Sequence, residues 1–189
     1  MKRIGVLAGA FNPVTRAHAE LGRAARTMVD EIVCVVPKVY PHKEFHGATL
    51  EQRIEMIALS KLADRVEIVE SGLFIDIARG LRQPDATVEF ICGADAAERV
   101  IAWDYGETGA IERMLEEFSF LVAPRAAVFA APDHLRHRVR ALEVAPGFED
   151  VSSTKVRERI AAGKPWEHLV PESIVALVRR IYLTINERE

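Results

Sequence analysis

Short apolar runs rich in β-branched residues punctuate the chain: Ile4–Ala8, Ile32–Val36, Val66–Val69, Val88–Cys92 and Phe118–Ala123. They are largely apolar, the pattern of strands covered on both faces in a parallel sheet. Ala141–Ala145 is a weaker sixth candidate. Between the runs the period becomes helical. Ala17–Val29 brings Leu21, Ala24, Ala25 and Met28 to one side, and Leu50–Ala63 is announced by Thr49 with Gln52 in capping-box spacing. Strand and helix in alternation predict an α/β fold with right-handed crossovers. The last third changes character. Ser152–Ala162 reads as a short helix stopped by Gly163 and Pro165. Pro171 suits the first turn of a final helix with Ile174, Val175, Val178, Ile181 and Tyr182 as its buried stripe. Pro124–Arg140 is the least regular stretch and reads as surface loop or variable helix. With no repeat, no low-complexity segment and no boundary signal, one domain over residues 1–189 is expected.

Composition narrows the function classes. The chain has 189 residues, 49% hydrophobic and 28% charged, enough for one well-packed domain and short for two. A net charge of −3 gives no bulk attraction to nucleic acid or anionic membrane. No apolar run approaches the roughly 20 residues of a membrane span. The basic start MKR leads into a short apolar run ended by Asn12-Pro13, which reads as a first strand and not as a secretory signal. Cys34 and Cys92 sit in apolar runs and read as buried reduced thiols. The expectation is a cytoplasmic protein with no nucleic-acid or membrane partner and possible homo-oligomerisation.

The polar chemistry concentrates after the first strand, in LAGAFNPVTRAHAEL, Leu7 to Leu21. In an open parallel sheet, ligands bind beyond the carboxyl ends of the strands. Gly9 allows close approach to the backbone, and the helix that follows offers free N–H groups and a positive dipole end, which suits phosphate. If Thr15 caps that helix, His18 falls in its first turn, so that a hydroxyl and an imidazole project at one anion. A second such place is VSSTKVRERI, Val151 to Ile160, where hydroxyls at a helix start share a face with Arg157, a guanidinium suited to bidentate phosphate contacts. Each string alone would pass for a capped helix.

Together the strings carry a resemblance. GAFNPVTRAH resembles the nucleotidyltransferase signature G-x-F-[D/N]-P-x-[H/T]-x-G-H, with Thr15 and His18 at its two principal positions and Ala17 where glycine is usual. SSTKVR resembles that superfamily's late I-S-S-T-x-x-R. The resemblance implies a Rossmann-like doubly wound parallel sheet with a C-terminal helical segment. The implied activity is attack on the α-phosphate of a nucleoside triphosphate with release of pyrophosphate. ATP and Mg²⁺ are the implied partners, with no metal held by the protein's own side chains. His18, Thr15, Lys43 and Arg157 become the catalytic candidates. Gly9, Ala10, Phe11, Ser152, Ser153 and Thr154 become ATP-binding candidates. No covalent intermediate is required, since aligned phosphates, cations and N–H donors suffice.

The branch most resembled is the bacterial nicotinate mononucleotide adenylyltransferases. VVPKVYPHK, Val35 to Lys43, is similar to that branch's strand-two loop, and would set His42 and Lys43 over the phosphates. RIEM, Arg53 to Met56, matches R-x-x-M, with Met56 better explained by packing. FICGAD matches F-I-x-G-x-D, with Gly93 at a strand end and Asp95 accepting from a ribose or capping the next helix. Pro124 and Arg125 correspond to residues near the adenine pocket, and Trp103 to an aromatic that stacks on the pyridine ring. SGLFIDIA departs from the branch's S-Y-T-x-D-T-L: Asp76 keeps register, but Leu73 and Phe74 replace its Tyr-Thr pair. The acceptor residues implied are Asn12, Lys43, Leu73, Phe74, Asp76 and Trp103. Nicotinate mononucleotide is favoured as the small phosphorylated acceptor; nicotinamide mononucleotide, phosphopantetheine or a cytidylyl transfer are alternatives, as is a nucleotide sensor without turnover. A fragment related to class I aminoacyl-tRNA synthetases is the least favoured. Asp133, His134 and His137, and the basic run Arg136–Arg140, read as solvated surface.

Overall fold

The computed structural model describes residues 1–38, 47–70, 72–124 and 131–186, with the backbone alone for 184–186. Six parallel strands form one sheet: β1 (Lys2–Ala8), β2 (Glu31–Pro37), β3 (Arg65–Val69), β4 (Ala86–Gly93), β5 (Phe118–Ala123) and β6 (Val139–Ala141), in the order β3-β2-β1-β4-β5-β6. The chain winds outward from β1 to β3, returns to place β4 against the other side of β1, and winds outward again. The sheet therefore changes direction between β1 and β4, where a doubly wound fold opens a crevice at its carboxyl edge.

Side-chain alternation divides the core. Ile4 and Val6, Val33 and Val35, Val88 and Phe90, and Phe118 and Phe120 point to one face, where α3 (Phe74–Gly80), α4 (Ala94–Ile101) and α5 (Ala110–Glu117) pack. Leu7, Ile32, Cys34, Ile91 and Leu121 point to the other, beneath α1 (Arg16–Ala25), α2 (Leu50–Leu59), α6 (Ser153–Ala161) and α7 (Val175–Asn186). Cover on both faces is why these strands carry no polar alternation. Cys34 and Cys92 are buried free thiols, each pushed up to about 12 by burial.

Several boundaries correct the sequence reading. β3 is an edge strand, so it is only half covered: Ile68 is 43% exposed, and Arg65 and Glu67 interrupt its apolar run. The sixth strand lies at Val139–Ala141, not Ala141–Ala145, because Val139, Arg140 and Ala141 pair with Phe120, Leu121 and Val122. Leu142 donates one further bond to the Val122 carbonyl and turns into the core. α1 stops at Ala25 rather than Val29, since the chain must turn before Glu31 to enter β2. Thr49 and Gln52 do form the reciprocal capping box. Pro171 precedes a 3₁₀ turn, Glu172–Ile174, and α7 begins only at Val175. Asp133–Arg138 is 3₁₀ helix whose Leu135 is buried.

Candidate active site

The loop between β1 and α1 is built from the inside out. Gly9 donates its N–H to the Val35 carbonyl (3.1 Å), fixing where the chain leaves the sheet. Phe11 then adopts a positive φ of 49° and folds its ring inward, 2% exposed, under Gly9 and 5.1 Å from the His18 ring. Only the backbone of Phe11 is left to face a ligand. The carbonyl of Ala10 accepts from Arg53 Nη1 (3.2 Å), a buried guanidinium on α2. Asn12 is also turned inward, 4% exposed: its Oδ1 accepts from the Ala48 N–H (3.0 Å) and from the Tyr182 hydroxyl of α7. Burial pushes the Tyr182 phenol up, so it stays a donor. Gly47 lies against this junction with a φ of +123°, and a Cβ there would come within 2.7 Å of Asn12 Oδ1. Asn12 thus holds three segments together through its side-chain oxygen.

Thr15 is the N-cap of α1, and His18 stands where a capping box usually has Glu or Gln. Thr15 N–H donates to His18 Nδ1 (3.0 Å), and Thr15 Oγ1 lies 2.9 Å from the same nitrogen and accepts from the His18 N–H (3.4 Å). A backbone N–H can donate only to an unprotonated nitrogen, so the neutral ring carries its proton on Nε2. Thr15 is fully buried. It orients His18 and does not project beside it at an anion, contrary to the expectation of two groups pointing outward.

The second string comes to the same place. Ser152 caps α6, accepting from Lys155 N–H (3.1 Å). Ser153 Oγ donates to the Pro13 carbonyl (2.7 Å), and Arg157 Nη1 donates to the Asn12 carbonyl (2.5 Å). Arg157 Nη2 donates to Thr154 Oγ1 (3.3 Å), and Thr154 is exposed. Residues some 140 positions apart are thereby joined, and two helix N-termini converge on one loop at the carboxyl edge of β1. Other N–H groups of the Arg157 fork remain for an incoming anion.

Beside the loop, a cleft runs between α1 and the segment leading to α6. Ala17 and Leu21 form one wall, Gly93 and Pro124 the floor at the ends of β4 and β5, and Val144 and Phe148 the far wall. Ala17, where the signature has glycine, lines this cleft. Arg16 lies 5.5 Å over the Phe148 ring. Glu20 was not singled out from sequence, where it reads as an ordinary helix-surface acid. It is 7% exposed, takes a bidentate bond from Arg23 (2.6 and 2.7 Å), and accepts the Ala145 N–H (2.6 Å), tying the far wall to α1. The Arg23 bond, with the Ala145 N–H working against burial, holds the Glu20 carboxyl below its usual range.

The residues expected around the acceptor ring scatter. Leu73 is the N-cap of α3, 58% exposed, with no side-chain cap bond. Phe74 turns the other way and stacks on Phe90 (4.1 Å, 17°) within a group completed by Phe118 and Phe120. It is half-buried and packs against the core on the α3 side of the sheet. Trp103 is 60% exposed and not core-packed. Asp76 is exposed and lines a separate cleft over β2 and β3 with Glu67 and Arg82. Gly93, not Asp95, is the N-cap of α4; Asp95 lies exposed in the first turn. Lys43 with His42, and Arg125, lie outside the described residues.

A family model described as cytidylyltransferase-like matches residues 6–159, from the middle of β1 to beyond Arg157. The chain belongs to this nucleotidyltransferase family. Curated relatives span its length. It is 33% identical over 199 residues to the probable nicotinate-nucleotide adenylyltransferase of Gloeobacter violaceus, covering 95% of this chain and 94% of the relative. It is 29% identical over 202 residues to the protein of the same name from Shouchella clausii, covering 99% and 100%. Among solved structures it is similar to Plasmodium falciparum nicotinic acid mononucleotide adenylyltransferase complexed with NaAD, with a TM-score of 0.72 over 95% of this chain and 96% of that one at 16% identity, which is a likeness of fold. As a member of this family the chain is an enzyme, a nucleotidyltransferase. No described helix is long and apolar enough to cross a membrane.

Proposed function

We propose that this nucleotidyltransferase transfers AMP from Mg²⁺-ATP to nicotinate mononucleotide, releasing pyrophosphate and forming nicotinate adenine dinucleotide in NAD biosynthesis. The observation that carries the reading is the junction of α6 with the β1–α1 loop, where Arg157 and Ser153 are fastened to the loop that orients His18. The names of the full-length relatives support the adenylyl donor and the pyridine acceptor.

In this reading the triphosphate lies across the two helix N-termini. His18 Nε2–H donates to a non-bridging oxygen of the α-phosphate, and Arg157 meets the β- and γ-phosphates. An acceptor phosphate oxygen forms a bond to the α-phosphorus as the bond to the β-bridging oxygen breaks, and the electron pair leaves with pyrophosphate. The acceptor phosphate is already ionised, so no general base is needed, and the protein supplies alignment and charge stabilisation. Mg²⁺ arrives as part of the ATP substrate on its phosphate oxygens. Adenine occupies the cleft of Ala17, Leu21, Pro124 and Phe148, with the ribose toward Gly93 and Asp95. Lys43 acts on the phosphates, Arg125 meets the base, and the cytoplasm is the proposed location.

Leu73 at the α3 N-cap, which makes no side-chain cap bond, and Phe74 stacked on Phe90 favour a second acceptor, nicotinamide mononucleotide. Pyrophosphate release is measured with Mg²⁺-ATP and nicotinate mononucleotide, nicotinamide mononucleotide or phosphopantetheine. Release fastest with nicotinate mononucleotide supports the primary reading. Release fastest with nicotinamide mononucleotide replaces its acceptor, and ATP binding with no release from any acceptor overturns transfer in favour of a sensor.

A further inference from the structure

The amino edge of the sheet, opposite the loops described above, carries a basic pocket that the transfer reaction does not use. Strand register places its residues. Arg3 on β1 pairs with Thr87 on β4, Gly5 with Glu89, and Glu89 with Ser119 on β5, so these side chains share one face. Arg140 on β6, the partner of Leu121, joins the same face. They surround an opening of about 350 Å³, closed on one side by His137 and Arg138.

Glu89 is the floor of this pocket, 4% exposed, and both its oxygens are taken: Oε1 by Arg3 Nε (2.9 Å) and Oε2 by Arg140 Nη2. A buried carboxylate held from two sides fixes both guanidiniums in place. Their charge exceeds what it neutralises. Three guanidiniums, of Arg3, Arg138 and Arg140, face one carboxylate. Arg3 Nη2 is buried with no hydrogen-bond partner, and Arg138 has no partner among the described residues. Thr87 and Ser119 add hydroxyls that can donate to an oxyanion. A concave, positively charged site with unmatched donors suits a compact anion better than an extended strand of nucleic acid, which is held along a groove with interleaved aromatic rings.

We propose that this pocket binds a phosphate dianion, either free or as the monoester of a small metabolite. Arg138 and Arg140 supply forked donors to it, and Ser119 and Thr87 supply hydroxyl contacts. The site lies at the opposite end of β1 from His18, separated by the length of the strand, roughly 20 Å, and does not depend on the identity of the transferred group.

The test titrates inorganic phosphate, then ribose 5-phosphate, into the nitrogen-labelled full chain and follows backbone amides. Saturable shifts at Thr87, Ser119 and residues 138–141 are expected, weakened about tenfold in R138A. Turnover measured without phosphate is unchanged in that variant, and H18A keeps the binding. Tighter binding of ribose 5-phosphate than of phosphate supports a metabolite ligand, and equal binding supports free phosphate. Shifts confined to residues 9–18 and 152–157, an R138A titration matching the parent chain, or no saturable shift would each overturn the proposal.

Discussion

The β1–α1 loop and the start of α3 both lie at the carboxyl edge of the sheet, yet they are built in opposite ways. The loop is cross-linked to every neighbour: Ala10 to Arg53, Asn12 to Ala48 and Tyr182, Pro13 to Ser153, and Thr15 to His18. The α3 start has no side-chain cap, leaves Leu73 exposed, and lays Phe74 half-buried against Phe90. Phosphate transfer needs its donors preset, because stabilisation of a developing charge is lost when the groups must reorganise. Recognition of an acceptor ring tolerates a surface that completes itself around the ligand. In the proposed reaction the cross-linked region carries the transfer chemistry and the looser one the choice of acceptor.

His18→Ala would break the first half of that contrast most severely. Loss of one preset donor lowers kcat by ~10²–10³ with circular dichroism unchanged. Parent-like turnover would remove His18 from the reaction. Next in size, Arg157→Ala weakens ATP binding about tenfold or more, because a charge-assisted bond is lost along with the tie to Asn12; equilibrium binding of ATP measures this, and unchanged affinity would separate Arg157 from the triphosphate.

Glu20→Ala raises KM for ATP about fivefold with kcat nearly unchanged, since it frees the wall at Ala145 and leaves His18 in place. Glu20→Gln, which keeps an acceptor for the Ala145 N–H, recovers most of this. The pH dependence has a definite sign. A carboxyl held below its unfolded value stabilises the fold above the ordinary carboxylate range, and that stability is lost as pH falls through the folded value. Glu20→Gln therefore flattens the acid side of the stability profile, as thermal unfolding across pH would show. Tyr182→Phe costs about 1 kcal/mol of stability by removing one bond to Asn12, checked by denaturant unfolding. The smallest change comes from the looser region: Leu73→Thr adds a cap to α3, stabilises by less than about 1 kcal/mol, and shifts KM for the acceptor without moving KM for ATP. An equal shift in both constants would erase the contrast.

Much of this was legible in the chain because the signals are local. Mostly apolar runs rich in β-branched residues marked the strands, and Thr49 with Gln52 marked a helix start. The two strings expected to meet phosphate stood out because hydroxyl, imidazole and guanidinium types cluster in few residues. What escaped depends on partners distant in sequence. Glu20 acquires meaning only from an amide 125 positions away, and Tyr182 only from Asn12, 170 positions earlier. Phe74 reads as a pocket residue when matched to its position in a motif, and its stacking on the Phe90 ring of β4 is a contact that position alone does not reveal. β6 was displaced because strand pairing with β5, not apolarity, decides where an edge strand lies.

The most direct measurement identifies the products of Mg²⁺-ATP and nicotinate mononucleotide by mass, in the parent chain and in H18A. Nicotinate adenine dinucleotide and pyrophosphate formed in equal amounts, with the rate collapsing in H18A, is the predicted result. No dinucleotide from the parent chain, or equal formation by both proteins, would contradict adenylyl transfer at this loop.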